Sequence, residues 1–113
     1  MRPDLAPAIQ RVAQLREEAA RPAPRASLLG EIEDALSEGY AHALEGDEWS
    51  MATEQRLHEL MTDPDVPARG RSLRALASEH ARFQSTVMRL RTDLAALRRD
   101  RDRLHIGALG RSA

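Results

Sequence analysis

The sequence contains no cysteine, no lysine and no asparagine. Without thiols there are no disulfides, no thiolate nucleophile and none of the usual zinc ligand sets. All 17 basic residues are Arg, the usage expected of a GC-rich genome, and Arg also makes the stronger ion pairs. Aromatic residues are only 3%: Tyr40, Trp49 and Phe83. So few aromatics beside 31% charged residues argue against a sheet, whose strands want β-branched and aromatic runs, and for paired helices. No run of about 18 apolar residues is available to cross a membrane, and Met1 to Pro7 has no apolar core of signal-peptide length, so a cytoplasmic location is expected. Glycine-rich phosphate loops, a Ser/His/Asp arrangement and nucleotide fingerprints are also missing, so neither enzymatic activity nor a cofactor is expected.

What is present is a heptad repeat. Leu73, Leu76, His80, Phe83, Val87, Leu90, Leu94, Leu97, Arg101 and Leu104 alternate three-residue and four-residue steps, and only His80 and Arg101 break the apolar rule. Such a pattern predicts a long helix that presents a seam to another helix. At 113 residues the chain has the length of one domain, and long extended helices bury little surface alone, so a partner chain is expected.

Before the repeat, Leu5, Ile9, Val12 and Ala19 keep a helical period, with Asp4 placed to cap and Pro7 tolerable in the first turn. Residues 21–26, Arg-Pro-Ala-Pro-Arg-Ala, break that helix and form a stiff linker. Ser27 can cap a second helix that meets no strong stop until the prolines at Pro64 and Pro67. Its three-four row reads Ile32, Leu36, Gly39, Ala43, Gly46, Ser50, Thr53, Leu57 and Leu60, apolar at the ends and small in the middle. Each interior glycine costs about 1 kcal/mol of helix propensity, and close approach of a neighbouring helix offsets it, with Tyr40, Leu44 and Met51 along the flank closing over the contact and a kink near Gly46 as the alternative. The third helix starts at Asp65 or at Ser72 and ends near Gly107.

Charge divides by segment. Residues 1–30 carry five Arg and three acids, residues 31–65 one Arg and eleven acids, and residues 66–113 eleven Arg and four acids, which gives +2, -10 and +7. An acidic helix followed by a basic one predicts an antiparallel fold-back. It places Glu33 near Arg98 or Arg101, Asp47 near Gln84 to Arg91, and Glu54 near Ala77 to His80, with e positions facing e positions. The rival is a parallel homodimer of the third helix, because Glu79, Asp93 and Asp100 precede Gln84, Arg98 and His105 in the order that g-to-e pairing uses. Exposed pairs contribute only about 0.2–1 kcal/mol each, so the hairpin is favoured for neutralising the acidic segment without a second chain. Both coexist if hairpins dimerise into a four-helix bundle, with the first helix across the outside or swapped.

The candidate interface residues are Ile32, Leu36, Tyr40, Trp49, Leu73, Leu76, Phe83, Val87, Leu90, Leu94, Leu97 and Leu104. Trp49 lies off the seam and is a candidate anchor, since buried interface anchors are enriched in Trp. Glu54, His58 and His80 have donors enough for a divalent metal, but no paired Glu-x-x-His repeat is present, and a lone His in a seam reads as a register device, so no metal is expected. Arg89, Arg91, Arg98, Arg99, Arg101 and Arg103 suggest phosphate-backbone contact, which Asp93, Asp100 and Asp102 interrupt; nucleic acid is the alternative partner.

The stretch 28–40, Leu-Leu-Gly-Glu-Ile-Glu-Asp-Ala-Leu-Ser-Glu-Gly-Tyr, resembles small helical-hairpin proteins of unassigned function in GC-rich actinobacteria. That resemblance implies an all-α fold and no activity. Ile106 to Arg111 is similar to the Gly/Leu-rich terminal peptides by which cargo proteins dock in encapsulin shells, and a frayed helix end accounts for the same residues.

The sequence therefore predicts an all-α protein. Residues 1–26 form a short helix and linker, 27–107 an antiparallel hairpin with helices at about 28–62 and 68–106, and 108–113 a flexible tail. The expected function is a non-enzymatic interaction or scaffold module acting through a coiled-coil seam, homodimeric and serving an unknown protein partner.

Overall fold

The computed structural model describes residues 1–63 and 70–112, and among them are three helices and no strand: α1 (Ala6–Ala19), α2 (Leu28–Met61) and α3 (Gly70–Ser112). The turn expected at Pro64 to Pro67 lies outside the described residues. α3 corrects the expected end near Gly107. It runs on to Ser112, because no described glycine takes the positive φ that stops a helix.

α2 is unbroken through both interior glycines, and each faces α3. A Cβ on Gly39 would stand 2.5 Å from Leu94 Cδ2, and one on Gly46 would stand 2.9 Å from Val87 Cγ2. Ser50 continues the row onto His80. Seven residues up α2 correspond to seven down α3, so the two helices lie side by side in opposite directions. Small residues allow the axes to approach, and the large α3 residues fill the space released.

α1 is the element whose position the sequence left open. It lies lengthwise in the trough between α2 and α3 rather than across the outside. Arg2 pairs with Glu79 at 3.0 Å, Arg16 with Asp100 at 3.0 Å, and Arg103 donates to the Ala19 carbonyl at 3.1 Å, so α1 runs parallel to α3. Arg11 reaches Glu38 of α2 at 2.8 Å. The Arg103 contact also sets a cation at the negative end of the α1 dipole. Leu5, Val12, Leu15 and Ala19 join Ile32, Leu36, Leu90, Leu94 and Leu97 in one buried core. The result is a rod 70 Å long and 17 Å across, three helices thick where α1 lies and two beyond its N-terminus.

Capping differs in part from expectation. The Ala6 amide donates to Asp4 Oδ1 at 3.1 Å and Pro7 occupies the first turn of α1. Ser27 stands at the α2 N-cap, yet its hydroxyl makes no cap bond and instead accepts from Arg25 at 3.4 Å. Arg25 clasps the linker by donating to Glu18 at 2.6 Å and Glu31 at 2.7 Å, and these bonds raise its guanidinium above the usual arginine value.

Two glycine substitutions should move stability in opposite directions. Gly46→Leu drives a side chain into Val87, whose branched Cβ leaves it little room, and should cost about 1–3 kcal/mol. Gly30→Ala meets nothing within 4 Å and should gain up to about 1 kcal/mol. Urea unfolding followed by circular dichroism measures both, and equal effects would mean that the glycine row is not the contact.

Candidate functional site

The seam that the heptad predicts is occupied inside the chain. Phe83, Val87, Leu90, Leu94 and Leu97 are buried, as are Ile32 and Leu36, while Leu73, Leu76, Leu104 and Trp49 are half-buried. α1 and α2 together cover the leucine strip from Phe83 to Leu97, while Leu73 and Leu76 lie half-buried beyond the N-terminus of α1. Three other surface features remain.

The first is a polar node beside the N-terminal end of α1. His80 is buried with its Nε2 2.9 Å from Ser50 Oγ, 3.2 Å from the Ser50 carbonyl and 3.6 Å from Glu54 Oε1. Trp49 stacks on its ring at 6.3 Å and meets Phe83 edge-on at 4.7 Å. Gln84 donates to the same Glu54 oxygen at 3.1 Å. His58 takes no part, and among the described residues no three His, Asp or Glu side chains are grouped to hold a metal. The node satisfies a seam histidine: no described buried side-chain polar atom lacks a hydrogen-bond partner.

The second is a groove of about 1120 Å³ beyond the N-terminus of α1, in line with its trough. Trp49, Thr53, Leu60, Leu73 and Leu76 line it, with Arg56 and Glu59 among its polar residues.

The third is the side of the α2–α3 pair turned away from α1. At about 100° per residue, Tyr40, Leu44 and Met51 point away from Ala35, Glu38 and His42, which border α1. Tyr40, Leu44, Met51 and Met88 are 39, 58, 70 and 69% exposed. Beside Met88, α3 offers a flat stripe of Ala81, Ser85, Thr92 and Ala95. The Ser85 and Thr92 hydroxyls bond back to the carbonyls of Ala81 and Met88, at 3.3 and 3.0 Å.

Of the expected ion pairs, Asp47 with Arg91 is formed between half-exposed side chains. Glu54 lies at His80, within the stretch expected for it, and also accepts from Gln84. Glu33 lines a cleft with Arg98 and Arg101 but bonds neither; Arg101 turns to its neighbour Asp102 at 2.9 Å. The basic run of α3 is extensively paired. Arg89 meets Asp93 at 3.9 Å and Arg103 meets Asp100 at 3.6 Å, so Arg98 and Arg99 are the two of that run without a described carboxylate partner. None of the described helices is long and apolar enough to cross a membrane.

The chain matches no family model, no curated protein and no solved structure.

Tyr40, Leu44 and Met51, expected along the flank to close over the α2–α3 contact, stand exposed instead, because they point to the side of α2 away from α1. Sequence reasoning passed over Met88 and the contacts of Arg2, Arg11 and Arg16.

Ser50→Ala and His80→Leu, taken singly and together, should show a coupling of about 0.5–1.5 kcal/mol in a double-mutant cycle measured by urea unfolding. Additivity within error would mean that the two side chains do not share a bond.

Proposed function

We propose that the chain is a non-enzymatic interaction or scaffold module in which α2 and α3 form an antiparallel hairpin of coiled-coil character and hairpins associate into a helical bundle. The observation that carries this reading is the row of Tyr40, Leu44, Met51 and Met88, exposed on one side of the rod with no described helix upon them. Grouped apolar surface of this kind marks association sites, whereas single exposed hydrophobics are ordinary. The chemistry for catalysis finds no support beside it. The buried imidazole is already engaged by Ser50, and the grooves bring no nucleophile, base and orienting group together.

Nucleic-acid binding by α3 is the alternative, and it is the weaker one. The arginines it would use are mostly held by Asp47, Asp93, Asp100 and Asp102.

Sedimentation velocity across a wide concentration range tests both readings on the same sample. The wild type should self-associate, and Leu44→Glu/Met51→Glu should sediment as a monomer with unchanged helical circular dichroism. Generic duplex DNA should show no salt-sensitive binding. A monomeric wild type that binds DNA with affinity falling steeply in salt would replace the scaffold reading with the nucleic-acid one.

A further inference from the structure

We infer that the partner for the face opposite α1 is a second copy of this chain, related by a two-fold axis parallel to the rods, so that each α2 lies against the partner's α3. This rests on the reading of the chain as a self-associating module.

Charge excludes the simplest rival. If the axis ran across the rods, α2 would stack on α2 and α3 on α3, setting a -10 segment on its twin and a +7 segment on its own. With the axis along the rods, every acidic helix has a basic neighbour on both sides, one from its own chain and one from the partner. Neighbouring helices are then antiparallel throughout, the arrangement of an up-and-down bundle.

Register follows from symmetry. Rotation about an axis along the rods leaves heights unchanged, so the α2–α3 register within the chain is also the register between chains. That register pairs Gly39 with Leu94 and Gly46 with Val87. On the open face Glu33, Tyr40, Leu44 and Met51 climb α2 in steps of seven, four and seven, while Arg99, Thr92, Met88 and Ala81 descend α3 in the same steps. Each pair is level to within one residue of the intrachain register. The match is also one of size and charge. Tyr40 meets Thr92 with Ala95 beside it and Met51 meets Ala81, so these bulky α2 residues fall on the flat stripe of α3, while Leu44 meets Met88 as an apolar pair between them. Glu33 and Arg99, neither with a described partner in the chain, meet at one end. The Asp47–Arg91 pairs, already formed within each chain, lie midway along the contact and hold its register. Over residues 33–58 the face is about 38 Å long and roughly two helix diameters wide, which approaches the ~800 Å² per partner of a standard interface.

The absence of cysteine makes the test direct. A Met51→Cys sample mixed with an Ala81→Cys sample should give an oxidised dimer on a non-reducing gel, and neither should do so alone. A Tyr40→Cys and Met51→Cys mixture should stay uncrosslinked. In a separate measurement Glu33→Arg should weaken the dimer about two- to fivefold, and Glu33→Arg/Arg99→Glu should restore it. A crosslink between positions 40 and 51, or a dimer whose positions 51 and 81 stay apart, overturns this arrangement and leaves self-association standing. A wild type that remains monomeric at every concentration overturns both.

Discussion

The structure depends on how closely α2 can approach α3. Gly39 and Gly46 present bare backbone at the two places where Leu94 and Val87 come nearest, and the distances leave no room for a methyl group. Two glycines inside a helix cost about 1 kcal/mol each in propensity, and burial of Leu90, Leu94 and Leu97, each with no exposed surface, more than offsets it at about 1.5–3 kcal/mol per side chain. With the two axes drawn together, the trough beside them is shaped to seat α1. A third helix can then lie lengthwise and close the core.

Electrostatics adds direction to that packing. Arg2, just before α1, and Arg11 and Arg16 within it each find a carboxylate on a flanking helix, which fixes the height of α1 in its trough. Asp47 with Arg91 does the same for α2 against α3. These exposed pairs stabilise little individually, and their value lies in selecting one register among several that an apolar seam tolerates. His80 makes that selection inside the seam. A buried imidazole must find a partner, and Ser50 stands at the one height that provides it.

The covering of one side by α1 exposes the other. With the leucine strip consumed inside the chain, what remains open is a mixed face: bulky and acidic on α2, flat and basic on α3. Such a face is complementary to its own reversed image, because opposite charge and opposite size sit on adjacent rods. The groove past α1 differs in kind. It is the unfilled end of the trough, apolar along Leu60, Leu73 and Leu76.

Periodicity and charge were enough to place three helices, the small-residue row of α2, the burial of Phe83 through Leu97, and Asp47 beside the stretch of α3 that ends at Arg91. All of these are properties of one helix or of two consecutive ones, and a three-four spacing reports them directly. The position of α1 was not legible, because an amphipathic helix states that it will be buried and not against which neighbour. For the same reason the heptad of α3 looked available to another molecule, when α1 and α2 cover it. Glu33 does not bond Arg101, which turns instead to Asp102, its neighbour in the chain. The sequence by itself determined which residues are helical and which face of each helix avoids water, since both follow from local spacing. Only the tertiary structure decided which apolar faces are satisfied within the chain and which stay open, since that depends on where the third rod comes to rest.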